Sequence, residues 1–322
     1  MSTLWLEFWT EEEDFYIYAE ADDYEKEITL TGQAPTIVAH FDTIYAILQE
    51  IKTHKAAALT EALQALSQQL LTPFTAQLQK CSHVRFIVYE DLIRCAFDLL
   101  LFEGRYLFLQ RSVCYQVTEG YGEDDPQIEL GSALLIADLT ADPEEACRQV
   151  AKLIPEAEYA KMEDADFGMI KAAADEVDAV VISAHGELED GNYGALYLNE
   201  EELSAKLVGK LEAWVVYFDS CQQGVNMAYL DTFQAESDIQ FYLAPIISND
   251  AGDSSTKTMV WFFTAVLQHK QPIRALFDTR KRLFEFYDKQ QKLDLVTTLN
   301  KAFPFRLYEF VDGDQQEEYP VE

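Results

Sequence analysis

Four runs of consecutive apolar residues constrain this chain most: residues 133–137 (ALLIA), 178–183 (DAVVIS), 213–218 (AWVVYF) and 241–248 (FYLAPIIS). A strand with one wet face alternates polar and apolar side chains. A run that is apolar throughout is covered on both faces, as in a parallel sheet packed between helices. The fourth run contains Pro245, which a central strand tolerates poorly. Between and after the runs, helices are predicted over 143–153, with Pro143 near the first helical position, over 165–174 and around 201–207. Long amphipathic helices are predicted over 256–269 and 272–287. Strand–helix alternation of this kind gives an α/β fold with a mostly parallel central sheet.

Upstream the rhythm differs. Residues 5–9, 15–18 and 27–31, around the acidic turn EEED, read as a small β-meander. Residues 40–52 and 55–71 read as helices, with Leu59, Leu63, Leu66 and Leu70 on one face. Strands are expected at 84–89 (VRFIVY), 105–110 (RYLFLQ) and 113–117. The segment 118–126 (TEGYGEDDP), rich in Gly and acid, is the best internal boundary. It divides a smaller N-terminal α+β region, 1–126, from a core, 127–322, that ends in an acidic tail. No internal repeat is visible.

Charge narrows the partners. The 322 residues include 57 acidic and 24 basic ones, a net charge of −33. Such a polyanion repels phosphate backbones, which argues against direct nucleic-acid binding, and it attracts basic partners. A hydrophobic content of 49% excludes a disordered polyanion. The apolar run 259–267 (MVWFFTAVL) is shorter than the ~20 residues a bilayer needs, so no membrane span is expected. An acidic start without a basic n-region argues against a secretory signal. Cysteines stand at 81, 95, 114, 147 and 221, an odd number without a CxxC pair. That argues against a disulfide framework or a thiolate zinc site and for a reduced, cytoplasmic chain. The acidic runs at 11–14 and 123–125 and in the tail read as solvated faces, since no EF-hand spacing accompanies them.

Reactive groups in an open α/β sheet gather at the carboxyl ends of strands. The run 178–183 leads into Ala184-His185-Gly186, and 213–218 leads into Asp219-Ser220-Cys221-Gln222-Gln223-Gly224. One strand–helix–strand unit separates them, and a right-handed crossover sets such strands beside each other or nearly so. A thiol next to an imidazole makes a ready nucleophile. Gly186 lets a backbone N–H turn toward substrate as an oxyanion donor, and Gly224 suits a tight turn. Taken singly, each residue has a blander reading: cysteine is among the most buried residue types, and four of the five belong in the core. A lone His after a strand is more often structural. Matching positions on two strands favour the joint, chemical reading. Asp219, two residues before Cys221, points to the same side by strand alternation. There it can pair with a basic side chain, bidentately if Arg, or simply hold its loop.

The blocks VVISAHG and WVVYFDSCQQG resemble the His and Cys blocks of caspase-like (clan CD) cysteine proteases. They are most similar to the CHAT domain, a relative of caspases, metacaspases and separase. Residues 84–117, the segment ALLIADLTADPEEACRQVAKLIPEAE and the segment that begins APIISNDAGDSST extend the likeness from about 40 to about 290. The resemblance implies a caspase-like three-layer sandwich. It implies Cys221 as nucleophile, His185 as general base and then acid for the leaving amine, and an oxyanion hole of the Gly186 and Cys221 N–H groups. No metal or organic cofactor is implied. CHAT sequences usually carry a small residue where this chain has Asp219. Metacaspases share the DSC pattern, and in them that acid lines a pocket for Arg or Lys. Asp138, at the end of the first core strand, is a second candidate for that pocket.

The implied partners are a protein substrate with a basic cleavage site and an upstream sensor or activator, in a bacterial stress or antiviral defence system. The chain lacks the TPR repeats that often precede CHAT domains. Residues 211–256 contain no Lys or Arg, so an enzyme of basic specificity would not process itself there. Two other readings stay open: a hydrolase or acyl-transferase using the same dyad, and a non-catalytic interaction module.

Overall fold

A computed structural model describes residues 3–118, 120, 126–164, 167–172, 177–198, 201–248 and 251–311. The N-terminal part contributes β1 (Thr3–Glu11), β2 (Asp14–Ala21), β3 (Tyr24–Leu30), α1 (Ala34–Gln49), α2 (Ala56–Leu70) and α3 (Thr75–Lys80). It continues through β4 (His83–Val88), a minimal hairpin of β5 (Leu101–Phe102) and β6 (Arg105–Tyr106), and β7 (Ser112–Gln116). Next come β8 (Ser132–Ala137), α4 (Ala146–Ala151), β9 (Glu156–Lys161), α5 (Phe167–Ala172) and β10 (Ala179–Ser183). A small sheet of β11 (Gly186–Asp190), β12 (Tyr193–Leu198) and β13 (Glu201–Glu202) precedes α6 (Ala205–Val208), β14 (Val215–Asp219) and α7 (Met227–Glu236). The chain closes with β15 (Phe241–Pro245), α8 (Asp253–His269), α9 (Pro272–Glu285), α10 (Leu295–Ala302) and β16 (Phe305–Glu309).

Eleven strands form one sheet in the order β3-β2-β1-β4-β7-β16-β15-β14-β10-β8-β9. The N-terminal strands form an antiparallel meander, and β1 joins β4 and then β7 in parallel. From β15 to β9 every pairing is parallel. β16 lies between β7, which it meets in parallel, and β15, which it meets antiparallel.

The apolar runs become strands because helices cover both of their faces. On one side Leu134, Ile136, Val180, Ile182, Val216 and Phe218 pack with residues of α1, α2, α7 and α10. On the other, Leu135, Val181, Val215, Tyr217 and Leu243 meet Val150 of α4, Phe262 and Phe263 of α8, and Leu276 of α9. Each fully buried Val, Leu or Phe contributes roughly 1.5–3 kcal/mol. This is an α/β three-layer sandwich around a large, mostly parallel sheet.

Some local expectations need correction. The strand expected over 105–110 ends at Tyr106; residues 107–109 wind into a 3-10 turn that buries Leu107 and Phe108 together. The helix expected from Pro143 begins at Ala146, because the Asp142 carboxylate caps it by accepting from Ala146 and Cys147 N–H. The helix expected around 201–207 is a single turn, α6, and residues 201–202 pair as β13 instead. Most of the boundary 118–126, part of the predicted helix 165–174 and the tail from 312 lie outside the described residues. Among the described residues no helix is long and apolar enough to cross a membrane.

Candidate active site

Three loops leave the sheet at one level. Ala137, Ser183 and Asp219 stand in register at the ends of β8, β10 and β14. His185 and Cys221 each follow the Ser183–Asp219 pair by two residues. Hydrogen bonds lace the loops: Asp138 N–H to Ser183 O at 2.8 Å, Ala184 N–H to Asp219 O at 3.3 Å, and Ser220 Oγ to Ala184 O at 2.6 Å. Two glycines stand in close quarters, and backbone forces the choice at Gly224. A Cβ on Gly186 would stand 2.7 Å from Gln223 Nε2, and one on Gly224 would stand 2.5 Å from the backbone oxygen of Ala244 in β15. Gln222, between Cys221 and Gly224, takes a left-handed φ of 61° to turn the loop.

His185 is exposed and lines a cleft of about 690 Å³ with Asp138, Leu139, Thr140, Lys161, Met162, Glu163, Glu187 and Tyr197. Carboxylates outnumber cations on these walls. The His185 Nε2 lies 2.9 Å from Thr140 Oγ1. Thr140 Oγ1 donates its proton to Asp138 Oδ1 at 2.7 Å, and the same carboxylate oxygen accepts Thr140 N–H at 2.8 Å. With its one proton so used, the hydroxyl accepts from His185, which assigns the ring proton to Nε2 and leaves Nδ1 as the basic nitrogen. Asp138 therefore stands on the cleft wall with its carboxylate engaged by Thr140. Nothing in the sequence marked Thr140.

Cys221 is half-buried, and the other four cysteines are buried. Burial pushes the Cys81, Cys95 and Cys147 thiols up, and burial with the Glu309 charge pushes Cys114 up to about 12, so all four stay protonated. The walls of the His185 cleft do not include Cys221 or Asp219. Beside Cys221, Gln222 Nε2 donates to the Tyr45 hydroxyl of α1 at 2.6 Å. The Arg94 guanidinium lies 5.5 Å from the Tyr45 ring centroid and donates to Asn192 Oδ1 at 2.7 Å and to Gly191 O. The N-terminal part thus ties the cysteine loop to the turn between β11 and β12.

Asp219 is only 6% exposed. It accepts from Ser183 Oγ at 3.2 Å and from Ser255 Oγ in the first turn of α8. Its surroundings are dry and anionic. Burial, then Asp142 and Asp219, hold the Cys147 thiol well above its usual range, and burial with Asp219, Cys147 and Asp142 does the same to the Tyr217 phenol. Among the described residues no group of three His, Cys, Asp or Glu side chains is placed to hold a metal ion.

No family model matches the sequence, and no curated protein does. Among solved structures, the Saccharomyces cerevisiae separase–securin complex aligns at a TM-score of 0.40 and 12% identity over 71% of this chain. The alignment spans 16% of that neighbour's chain.

Proposed function

We propose that the chain is a caspase-like cysteine endopeptidase that cuts a protein target after Arg or Lys. The observation that carries this reading is the parallel register, which sends His185 and Cys221 off adjacent strand ends at the same level. In the reaction, the Cys221 thiolate attacks the scissile carbonyl carbon while His185 holds the thiol proton. The N–H groups of Gly186 and Cys221 stabilise the oxyanion. Collapse expels the amine with the proton from His185, and water then hydrolyses the thioester. Basic specificity draws support from Asp138, Glu163 and Glu187 on the cleft walls and from the buried carboxylate of Asp219. The lack of Lys and Arg over 211–256 supports switching by a partner protein rather than by self-cleavage there.

Cleavage profiling with a mixed peptide library tests the reading. Wild type is expected to cut after Arg and Lys, and Cys221→Ala and His185→Ala to abolish turnover. Asp219→Ala is expected to lower kcat/KM for basic peptides by roughly 30-fold or more, the effect of unpairing a buried charge, while sparing slow turnover of others. Ester hydrolysis without any cleaved peptide would replace the endopeptidase with an acyl-transferase or other hydrolase. Undiminished cleavage by Cys221→Ala would remove the nucleophile.

A further inference from the structure

The two faces of β1 and β2 are finished differently. Leu4, Leu6, Phe8, Phe15 and Ile17 are buried in the core shared with α1 and α2. Residues of the other parity, among them Trp5, Glu7, Trp9, Tyr16 and Tyr18, keep part of their surface in water. The helices α4, α8 and α9 cover this side of the sheet farther on, yet Cys114 is the one described residue before 126 in their core. The N-terminal strands thus present a partly open face.

That face is aromatic and anionic together. Trp9 and Tyr16 stack across β1 and β2 with ring centroids 5.1 Å apart and planes 9° from parallel. Glu7 stands opposite Tyr18, and Glu11 opposite Asp14. A cleft of about 470 Å³ opens where β1 meets the end of β4, and its walls include Glu7, Trp9, Glu11, Tyr18, Tyr89 and Asp91. Tyr89 donates to Glu7 Oε1 at 2.5 Å, and Thr10 Oγ1 donates to Asp91, so two of these carboxylates are fixed by hydroxyls.

The strands supply no cation of their own to this face. The first 25 residues contain nine acidic residues and no Lys or Arg. The first basic residue, Lys26, lies opposite Ala19 on the buried-face parity, with its ammonium 5.7 Å from the Phe74 ring centroid. Desolvation and the charges of Glu11, Asp14, Glu12 and Glu27 hold the Tyr16 phenol above its usual range. Carboxylates alone would make a solvated surface. Partly exposed rings set among them add what a solvated surface lacks, because a cation within ~6 Å of a Trp or Tyr face gains ~0.5–2 kcal/mol. The negative field disfavours nucleic acid and a second copy of this chain.

We propose that this face of β1 and β2 is a docking site for a Lys/Arg-rich segment of a partner protein, with one basic side chain seated between Trp9, Tyr18 and Tyr89 against Glu7 and Glu11. The site is separate from the candidate active site and needs no chemistry at Cys221.

The test is fluorescence anisotropy at physiological salt, using a labelled peptide of alternating Arg and Gly and full-length protein carrying Cys221→Ala, so that cleavage plays no part. Trp9→Ala is expected to weaken binding roughly 2- to 30-fold, the cation–π contribution expressed as affinity. Glu7→Gln with Glu11→Gln is expected to weaken it at least as much. Glu156→Gln with Glu158→Gln, an equal charge change at exposed positions of the edge strand β9 that line neither cleft, is expected to leave it unchanged. Equal weakening by both pairs would mean diffuse attraction to a polyanion, and binding unmoved by the first pair would put the peptide at another site, such as the His185 cleft. Either result, or no binding at all, overturns the proposal. If circular dichroism finds Trp9→Ala unfolded, the paired Gln changes, which keep side-chain volume, still decide.

Discussion

Thr140 decides which nitrogen of His185 can take a proton. In the proposed mechanism it is a positioning residue, because its hydroxyl spends its proton on Asp138 and receives the His185 Nε2 proton at 2.9 Å. Thr140→Val keeps the shape and removes the acceptor. The expected result is a fall in kcat of roughly 2- to 13-fold, one hydrogen bond's worth, with KM unchanged and activity restored by Thr140→Ser. A parallel change in KM would mean that Thr140 merely shapes the cleft. The glycines make a second prediction. A Cβ on Gly224 would meet rigid backbone at Ala244, whereas one on Gly186 would meet the end of the Gln223 side chain. Gly224→Ala is therefore expected to cost about 1–3 kcal/mol in urea unfolding, and Gly186→Ala clearly less, with its effect on turnover instead. The strand-end positions of His185 and Cys221 were legible in the sequence because each residue comes just past an apolar run, the mark of a strand covered on both faces. Thr140, Tyr45 and Arg94 were not, since a threonine, a tyrosine and an arginine gain meaning only from the partners that folding brings to them.

The same division holds for elements. β8, β10, β14 and β15 could be read because burial on both faces writes a continuous apolar run. β9, with the sequence EAEYAK and mostly polar positions, forms the outer edge of the sheet and carries no such run. The hairpin β11–β12 carries its own signal, the Gly191-Asn192 turn between its strands. At the start of α8, Asp253 ties that helix to its neighbours. Burial works against its charge, but hydrogen bonds from Lys257 and Tyr287 and attraction to Lys257 and Lys301 outweigh it, so its carboxyl sits below the usual aspartate range. A carboxyl depressed in the folded state adds stability above its unfolded pKa and loses it as pH falls through the folded one. Asp253→Asn is expected to lower Tm at neutral pH and to flatten the decline of Tm below about pH 4. Melting curves that stay parallel to wild type through the acid range would mean that the group is unlinked to folding.

At the scale of the whole molecule, three buried arginines join early and late parts of the chain. Arg85 of β4 meets Glu309 of β16 through two contacts, at 2.8 and 3.1 Å, with both side chains 1% exposed. Arg280 of α9 meets Asp98 at 2.7 Å, and Arg306 of β16 donates to the backbone oxygens of Ile93 and Cys95. None of these pairings could be read from the sequence, because their partners lie about two hundred positions apart. They matter less as net stabilisation than as register, since taking both charges out of water offsets most of their attraction. Removing one partner is different. Glu309→Ala leaves the Arg85 charge buried beside Cys114 and is expected to cost about 3–5 kcal/mol. Arg85→Met combined with Glu309→Leu is expected to recover most of that, because no charge is then left uncompensated. The strand that carries Glu309 pairs with β7 on one side and β15 on the other, so damage there should reach both ends of the sheet. We therefore expect the single variant to shift one cooperative urea transition, with fluorescence and far-UV dichroism moving together. A transition that splits, with part of the dichroism surviving at the wild-type midpoint, would mean that the N-terminal and C-terminal strands fold as separate units.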